Sequence, residues 1–480
     1  MTSLLIAGTS SDAGKSLFVT GLCRVARRRG IDVAPFKAQN MSNNSMVCPD
    51  GSEIGRAQYL QALAAGVTPT SILNPVLLKP GTDRRSFVVL RGQPHGMLEA
   101  GEYTTGRRHL AEAAFAAYAE LAREHELVIC EGAGSPAEIN LRVGDYTNMG
   151  LARQFDLPVA LIGDIDRGGV LASIFGTWGL LDDDDRALLA GYIINKFRGD
   201  ESILAPGLEE ITRRTGLADF GTLPWLEGVW IDGEDALEVG RWRHDTASTS
   251  PDDLTVAAVR LPRISNATDV DALAQEPGVD VVVTVDPREV ENADIVVLPG
   301  SRSTLGDLAW LRSTGIADVI ATRVATGRPV LGICGGFQML ARTIDDPVEG
   351  DGIADGLGAL PVDVVFHADK VLGTPSGTWR GIPVDGYTIH HGRPVIDPGH
   401  EDFLGGVHEG VVWGTMWHGA FECDDFRRAW LVDAAREAGR DWEPSGKSVG
   451  FAALRERMID TTADAIEHRI DVDALLGLAR

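Results

Sequence analysis

The feature that most restricts the fold of this chain is a repeated alternation of short apolar runs with helical segments. In the first half, the runs SLLIAG, DVAPF, ELVIC, LPVALIG and AGYIINKF each have the length of one buried strand. The second half repeats the pattern with LTVAAVRL, DVVVTV, ADIVVLPG and RPVLGIC. Apolar strands that alternate with helices form parallel sheets covered by those helices. The sequence therefore predicts an α/β protein with two parallel-sheet domains.

A polar stretch separates the two halves. The segment GEDALEVGRWRHDTASTSPDDL offers little apolar surface that a domain core could bury. We predict one domain at residues 1–232, a linker at 233–253, a second domain at 254–446 and a C-terminal helical segment at 447–480. The helical segment is expected to pack against one of the two sheets.

Charge and composition exclude several classes of partner. The formal net charge of −25 disfavours sequence-independent nucleic-acid binding, which requires a basic surface, so we expect no nucleic-acid partner. We expect no membrane partner either, because no apolar run approaches the about 20 residues of a membrane span. The five cysteines form no CxxC pair, and the N-terminus lacks a basic signal region, which together favour a cytoplasmic protein. The oligomeric state stays open.

The segment GTSSDAGKSL, directly after the first predicted strand, is a candidate phosphate-binding loop. Backbone N–H groups of such a turn cradle phosphates, Lys15 would reach the outer phosphates, and the Ser16 hydroxyl would ligate Mg²⁺. Gly8 and Gly14 have five residues between them, and Thr9 occupies the place of the usual first glycine. This longer spacing resembles that of dethiobiotin synthetases and their relatives. The alternative is an ordinary glycine turn before a helix.

Charged residues at the ends of other predicted strands extend this candidate site. Glu131 follows the strand LVIC, where an acidic residue can hold Mg²⁺ at the carboxyl edge of a sheet. Asp164 and Asp166, after VALIG, could do likewise, although an acid in this position is also a common cap or turn residue. Lys37, after the second strand, could add positive charge near a transferring phosphoryl group, or could be a solvated lysine. We predict that the site binds ATP and Mg²⁺.

The segment LGICGGFQML in the second half has the form of a nucleophile turn. Cys334 lies between the strand RPVLGI and the start of a helix, where helix N–H groups stabilise a thiolate and supply oxyanion donors. The spacing of Cys334, Gly336 and Gln338 resembles the nucleophile motif of class I glutamine amidotransferase domains. The resemblance implies L-glutamine as nitrogen donor, with Gly336 and Gln338 in the glutaminase site.

His418, in GTMWHGAFE, is the candidate base for this thiol. On composition alone, His390 and His391 are rivals, and the resemblance to amidotransferases favours His418. Class I domains usually carry a Glu two residues after this histidine, where this chain has Ala420. The third triad member is therefore missing or replaced, as in the Cys-His subgroup of cobalamin-biosynthetic amidotransferases. Whether Glu422 or another acid orients the imidazole stays open.

Taken together, these motifs resemble the cobyric acid synthase (CobQ/CbiP) family over nearly the whole chain. Further segments that carry the resemblance are FKAQNMSNNS, NPVLLKP, CEGAGSPAEINLR, GDIDRGG, NKFRGD, LPGSRST and WHGAFE. It implies an N-terminal P-loop, dethiobiotin-synthetase-like parallel-sheet domain and a C-terminal class I glutamine amidotransferase α/β domain. The implied reaction is ATP-dependent amidation of the b, d, e and g carboxylates of adenosylcobyrinic acid a,c-diamide to adenosylcobyric acid, in cobalamin biosynthesis.

The family resemblance also assigns residues. The implied ATP site contains Gly8, Thr9, Asp12, Gly14, Lys15, Ser16, Lys37 and Asn195, and the implied Mg²⁺ ligands are Ser16, Glu131 and Asp164. Asp145 is a candidate for the corrinoid site, because it follows the Mg²⁺-binding strand in EINLRVGDYTNMG. The alternative for Asp145 is an N-cap of the helix that begins near Tyr146.

Three other functions share part of this pattern. A MinD/ParA-like nucleotide switch would have the same unusual P-loop but would not need Cys334 with His418. A dethiobiotin-synthetase-like ligase would lack the second domain. Cobyrinate a,c-diamide synthase has the same architecture and an earlier substrate, and the segments FKAQNMSNN and NPVLLKP argue against it.

Overall fold

A computed structural model describes residues 2–81, 85–99, 107–229, 253–350, 352–446 and 448–479. The predicted linker at 233–253 lies outside these described residues except for Asp253. No helix within the described ranges is long and apolar enough to cross a membrane.

The N-terminal half alternates strands and helices as the sequence predicts. In chain order its elements are β1 (Thr2–Gly8), α1 (Lys15–Arg28), β2 (Val33–Phe36), β3 (Gln39–Met41), β4 (Ser45–Val47), β5 (Glu53–Gly55), α2 (Arg56–Ala65), β6 (Val76–Pro80), β7 (Arg85–Leu90), β8 (Gln93–Glu99), α3 (Arg108–Glu124), β9 (Leu127–Glu131), α4 (Met149–Phe155), β10 (Val159–Asp164), α5 (Val170–Leu180), α6 (Asp183–Arg186), β11 (Leu189–Phe197), α7 (Glu201–Thr215) and β12 (Ala218–Pro224).

In the part of the chain that the structure describes, six of these strands form one parallel sheet in the order β12-β11-β10-β1-β9-β2. The five apolar runs predicted as strands are all in it, which confirms the predicted fold class for this half. The sequence did not indicate β12, because this edge strand is only half apolar. It also did not indicate the smaller sheet β3-β6-β7-β8 or the pair β4-β5.

The C-terminal half repeats the architecture. Its elements in chain order are β13 (Leu254–Val259), β14 (Ile264–Ser265), α8 (Asp271–Ala274), β15 (Val279–Thr284), α9 (Pro287–Asn292), β16 (Ile295–Leu298), β17 (Gly300–Ser301), α10 (Thr304–Ser313), α11 (Ile316–Ala325), β18 (Val330–Ile333), α12 (Gly335–Met339), β19 (Thr343–Asp346), β20 (Gly352–Asp355), β21 (Val362–Gly373), β22 (Ser376–Trp379), β23 (Ile382–Asp385), β24 (Thr388–Ile396), β25 (Glu401–Asp402), β26 (Val407–Glu409), β27 (Val412–Thr415), α13 (Asp424–Glu437), α14 (Phe451–Arg469) and α15 (Val472–Gly477).

The main sheet of this half has the order β15-β13-β16-β18-β27-β26-β25 among the described residues. The first five strands in this order, β15, β13, β16, β18 and β27, are parallel to one another. The last two, β26 and β25, extend the sheet with antiparallel pairing. A second sheet, β20-β19-β21-β24, lies beside it. The predicted second α/β domain is therefore confirmed.

The C-terminal helices return to the N-terminal domain. Helix α14 packs along α1, and the backbones lie so close that a Cβ on Gly21 would be 2.6 Å from Ile466 Cδ1. Arg24 of α1 pairs with Glu456 and Asp460 of α14, at 2.8 Å in both cases. The segment thus packs mainly on the helix that covers the first sheet, and beyond α14 the chain also bridges to the edge strand β12.

We predict that this contact contributes substantially to the stability of the N-terminal domain. Ile466 is fully buried, so Ile466→Ala should lower the free energy of unfolding by about 2–5 kcal/mol through lost burial and a residual cavity. Urea denaturation measures the change. The matched control is Ile203→Ala in α7, where the side chain is 80% exposed and the change should stay within about 0.5 kcal/mol. Equal midpoints for the two variants would contradict the prediction.

Candidate active sites

The P-loop connects β1 to α1 and holds its lysine across the turn. Gly14 has φ 91°, a left-handed conformation that glycine adopts without strain. The Lys15 Nζ donates to the carbonyl oxygens of Ser10 at 3.2 Å and Gly134 at 3.3 Å. A Cβ at Gly8 would lie 2.8 Å from this nitrogen, so the space for the ammonium group depends on glycine there. The Lys15 ammonium group therefore lies over the loop that leads into the N-terminus of α1.

The other residues predicted for the ATP site also lie at this loop. Asn195, in β11, donates from Nδ2 to the carbonyl oxygen of Ala13 at 2.9 Å. The backbone N–H of Thr9 donates to β10, and the carbonyl oxygen of Asp12 accepts from Lys196 Nζ at 2.7 Å. The structure thus brings Thr9, Asp12 and Asn195 together with the P-loop, as expected for carboxyl ends of adjacent parallel strands.

Ser16 and Glu131 meet at the first turn of α1. The Ser16 hydroxyl donates to Glu131 Oε1 at 2.6 Å, and Lys37 Nζ donates to the same oxygen at 2.8 Å. The amide of Gln61 donates to Glu131 Oε2 at 2.6 Å, while its own buried Oε1 has no hydrogen-bond partner within the described ranges. Hydroxyl, carboxylate and amide oxygens are the donor types that Mg²⁺ prefers. The residues present therefore fit a Mg²⁺ site at Ser16 and Glu131.

Asp164 lies on the other flank of β1, at the end of β10. Its Oδ2 accepts from Lys196 Nζ at 2.9 Å, and its Oδ1 accepts from the backbone N–H of Asp166 at 2.9 Å. The described residues hold no group of three or more His, Cys, Asp or Glu side chains that could bind a metal.

A cavity of about 580 Å³ opens beside the P-loop. Among its described walls, cationic side chains outnumber acidic ones: the cations are Lys15, Lys37, Arg107, Arg142 and Arg263, and the acids are Asp12, Glu138 and Asp145. Arg263 belongs to the C-terminal half, so both halves contribute to the walls. Such a cavity suits a ligand that carries several negative charges.

Asp145 lines this cavity, but its carboxylate is used within its own loop. Oδ1 accepts from the backbone N–H groups of Thr147 at 2.8 Å and Asn148 at 2.9 Å, and Oδ2 accepts from Gly150 at 2.9 Å. These bonds hold the chain before α4, but α4 begins at Met149 with Asn148 at the N-cap position, so Asp145 is not the N-cap that the alternative predicted. Asp145 therefore both borders the cavity and fixes the shape of its wall.

Cys334 occupies a sharp turn between β18 and α12. Its backbone has φ 49° and ψ −107°, a conformation that non-glycine residues rarely adopt. A Cβ on Gly335 would lie 2.6 Å from the backbone nitrogen of Ser301, and one on Gly336 would lie 1.9 Å from the carbonyl oxygen of Leu298. The two glycines therefore allow the nucleophile turn to lie directly against the neighbouring backbone, as the motif predicts.

Gln338 supports this turn from its buried side. Its backbone N–H donates to the carbonyl oxygen of Cys334 at 2.9 Å. Its side chain, 2% exposed, accepts from the Thr304 hydroxyl at 3.0 Å. The structure thus places Gln338 in the buried base of the site.

His418 follows β27 and has a carboxylate partner that the sequence did not reveal. Its Nδ1 lies 2.6 Å from Asp269 Oδ2, and the backbone N–H of Gly419 donates to Asp269 Oδ1 at 2.8 Å. His418 and Asp269 are 1% and 3% exposed. The Cys334 side chain lies near enough to the imidazole to raise the pKa of His418. Cysteine, histidine and aspartate therefore form a buried chain of the kind used in covalent catalysis.

Burial disfavours the charged imidazolium, but the negative charges of Asp269 and of the Cys334 sulfur outweigh it and raise the pKa of His418 to about 10. The ring of Tyr387 stacks on the imidazole with centroids 5.3 Å apart. The backbones of Tyr387 and His418 also exchange hydrogen bonds at 2.9 and 2.8 Å. These contacts hold the imidazole in one orientation.

The structure separates His418 from its rivals. His390 Nδ1 hydrogen-bonds with the carbonyl oxygen of Gly392, and burial lowers the pKa of His390 to about 4. His391 Nδ1 hydrogen-bonds with a backbone carbonyl of β21. Glu422, the acid left open as an orienting group, pairs with Arg56 at 2.5 Å and with Arg455 at 2.8 Å. The acid that contacts His418 is therefore Asp269, which replaces the usual glutamate.

Sequence reasoning missed Asp269 because no local spacing points to it. It lies 149 positions before His418, in a short turn with no motif of its own. The only available signal was its place in SNATD, after the first strand of the second domain.

Comparisons with known proteins match both halves. Residues 4–238 match a family model described as the CobQ/CobB/MinD/ParA nucleotide binding domain, and residues 255–426 match the CobB/CobQ-like glutamine amidotransferase domain. The chain is 71% identical over 489 residues to the cobyric acid synthase of Cutibacterium acnes, with 100% of both chains covered. It is 56% identical over 488 residues to that of Mycolicibacterium gilvum and 54% identical over 491 residues to that of Mycobacterium tuberculosis. Both matches cover 100% of this chain and 97% of the relative.

We predict that Asp269→Asn lowers the pKa of His418 below its raised value of about 10, because the amide retains a hydrogen-bonding oxygen but removes the charge. Glutamine hydrolysis should fall by about 10²–10⁴-fold. NMR titration of the imidazole and the pH profile of hydrolysis measure the two effects.

Glu422→Gln is the matched control for this prediction and should leave the His418 titration in place. A fall in the pKa of His418 in Glu422→Gln, with no fall in Asp269→Asn, would show that the orienting acid is Glu422.

Proposed function

The chain belongs to the cobyric acid synthase family, and we propose that its two sites carry the two half-reactions of an ATP- and glutamine-dependent amidation. The proposed substrate is adenosylcobyrinic acid a,c-diamide, whose b, d, e and g carboxylates become amides in adenosylcobyric acid. The observation that carries the proposal is the cavity at the P-loop, which has cationic walls and is completed by Arg263 from the amidotransferase half.

The P-loop half activates the carboxylate. A carboxylate does not react with ammonia at neutral pH, because it is a poor electrophile with a poor leaving group. Its oxygen therefore attacks the γ-phosphorus of ATP, and an acyl phosphate and ADP form. Lys15, at the mouth of the P-loop, and Lys37, beside Glu131, supply positive charge where the phosphoryl group transfers.

Ser16 and Glu131 are the proposed holders of Mg²⁺ in this half, with Asp164 on the opposite flank of β1 as a further candidate. When bound there, Mg²⁺ would neutralise charge on the phosphate oxygens. Gly8, Thr9, Asp12, Gly14 and Asn195 are proposed to shape the ATP site through the close loop contacts described above.

The cavity is the proposed corrinoid site. Arg107 and Arg263 are proposed to pair with the carboxylates of the substrate, whereas the Arg142 guanidinium already donates to Asp185 at 2.7 and 2.8 Å. Asp145 is proposed to act here by holding the loop at the cavity wall.

The second half supplies ammonia. The thiolate of Cys334 attacks the side-chain amide carbon of glutamine, and the C–N bond breaks as the nitrogen takes a proton from the His418 imidazolium. Ammonia leaves, and water activated by the imidazole hydrolyses the γ-glutamyl thioester to glutamate. Asp269 holds the imidazole and stabilises its charged form. The ammonia then attacks the acyl phosphate, and inorganic phosphate departs.

We propose that these roles divide along the chain as the sequence predicts. Residues 1–232 form the ATP- and corrinoid-binding amide synthase domain, residues 254–446 form the glutaminase domain, and residues 233–253 link them. The helical segment at 447–480 is proposed to stabilise the first domain, as its packing on α1 supports.

A nucleotide switch of the MinD/ParA type is the main alternative in another class. It would not need the buried chain of Cys334, His418 and Asp269, which therefore favours the amidating enzyme. Mass spectrometry of the products formed from the diamide with ATP, Mg²⁺ and glutamine tests the substrate. Four added amides support the proposal, and amidation only of an earlier precursor would assign the chain to the diamide synthase reaction.

We predict that Lys15→Ala abolishes amidation with either glutamine or ammonium as nitrogen source. Both routes need the acyl phosphate, and loss of one charge contact at a phosphoryl transition state costs about 10²–10³-fold or more. The assay follows corrinoid products and ADP. Basal glutamine hydrolysis by the same variant is the internal control and should persist, whereas amidation at the parent rate would remove Lys15 from the mechanism.

We predict that Cys334→Ala separates the two half-reactions. Alanine supplies no nucleophile, so glutamine should no longer support amidation, while ammonium at mildly alkaline pH should still do so. Cys423→Ala is the control, because this thiol lies in the same domain and contacts the backbone of Asp385 instead of His418. Use of glutamine by Cys334→Ala at the parent rate would contradict the glutaminase assignment, and a folded variant that cannot use ammonium would contradict the independence of the two halves.

A further inference from the structure

One segment of the synthase domain lies between the corrinoid cavity and the glutaminase triad. Residues 39–43 line the cavity, and the next two residues, Asn44 and Ser45, contact the turn that carries Asp269. The same short stretch of chain therefore touches both sites.

The contact includes two reciprocal hydrogen bonds across the domain interface. The side-chain oxygen of Asn44 accepts from the backbone N–H of Ala267 at 3.1 Å. The side-chain oxygen of Asn266 accepts from the backbone N–H of Ser45 at 2.9 Å. Both asparagines are only 2% exposed, so water cannot readily replace either bond.

This turn determines where the Asp269 carboxylate lies. Residues Ala267–Val270 form a single 3-10 turn, and the backbone N–H of Asp269 donates to the carbonyl oxygen of Asn266 at 3.1 Å. Asn266 has φ 49°, a left-handed conformation that asparagine tolerates better than most residues. Two hydrogen bonds at the start of so short a turn limit the movement of the carboxylate that contacts His418.

The same part of the synthase domain also supports Tyr387, which stacks on the face of the imidazole. Val47 packs with Tyr387 and Ile389 in one buried apolar cluster, and Tyr387 stacks on His418. The carbonyl oxygen of Asn44 accepts from the backbone N–H of Arg56 at 3.0 Å, which ties the segment to the start of α2. The segment is thus fixed within its own domain and can serve as a rigid support.

We propose that Asn44 and Asn266 are positioning residues for glutamine hydrolysis, which hold the Asp269 turn so that the synthase domain completes the glutaminase site. The proposal rests on the role of Asp269 in the proposed function. It assigns to the segment FKAQNMSNNS, besides its place at the cavity, a second role in the other half-reaction.

The variants Asn44→Ala and Asn266→Gly each remove one of the two side-chain acceptors. Glycine is chosen at Asn266 because it adopts φ 49° without strain. Each variant should reduce kcat for glutamine hydrolysis by about 3- to 10-fold, the factor that one lost hydrogen bond gives, with little change in KM. Amidation with ammonium should keep the parent rate, because the P-loop site is not altered.

The pH profile distinguishes positioning from a general structural effect. The titratable groups that face His418 are Asp269, Cys334, His390 and Tyr387. A looser contact with Asp269 lowers the pKa of the imidazole, so the profile of hydrolysis should shift to lower pH in both variants. The double variant should lose less than the product of the two single losses, because both residues act on one turn.

Lys370→Met is the matched control at the same interface. Lys370 of β21 pairs with Glu53 at 2.5 Å, and Glu53 keeps its second partner, Lys79, at 2.7 Å. This variant removes an interdomain ion pair that reaches Ser45 only through Glu53, which accepts from the Ser45 hydroxyl at 2.8 Å, and it leaves the Asn44–Ala267 and Ser45–Asn266 hydrogen bonds in place. It should therefore leave the kcat and the pH profile of glutamine hydrolysis unchanged.

Measurement of Asp269→Asn in the same assays distinguishes the role of Asp269 in the triad from the positioning role of Asn44 and Asn266. If Asp269→Asn loses hydrolysis while both asparagine variants hydrolyse glutamine with the parent kcat and pH profile, the positioning role is wrong and the triad assignment stands. If Asp269→Asn hydrolyses glutamine normally, the triad assignment fails and the positioning role fails with it. An equal loss of the glutamine- and ammonium-dependent reactions in the asparagine variants would also overturn the proposal.

Discussion

Parallel pairing of neighbouring strands is the constraint on which both sites depend. In the first sheet, β1 lies between β9 and β10, with Ile6 opposite Glu131 and Gly8 opposite Ile162. The strands end at one edge, so the P-loop, its lysine and a carboxylate meet there without any local sequence link. The second sheet repeats this arrangement, since Cys334 follows β18 and His418 follows the adjacent strand β27. In both sheets, the residues of the proposed site thus meet because the carboxyl ends of parallel strands lie at one edge.

The charges at these edges are buried, and each depends on a partner. Glu131 is fully buried and is offset by Lys37, while His418 is offset by Asp269. A buried charge without a partner would be strongly destabilising or would become neutral. Pairing therefore offsets the cost of burying charge at both sites.

The interface between the domains brings residues of each half to the proposed site of the other half. Arg263 extends from the glutaminase half into the wall of the synthase cavity. In the other direction, Asn44 and Ser45 of the synthase half contact the turn that carries Asp269. Each of the two proposed sites is thus bordered by residues of the other half, which suits the proposed coupling of the two half-reactions.

Apolar periodicity and motifs that are contiguous in the chain were enough to predict the two parallel-sheet domains, the P-loop, Cys334 and His418. The sequence also indicated Glu131 through its place after a strand. Three contacts could be read only from the folded chain: Asp269 with His418, Glu422 with two arginines, and α14 with α1. These contacts join residues far apart in the chain, and their partners are selected by the packing of strands and domains, which no local spacing encodes.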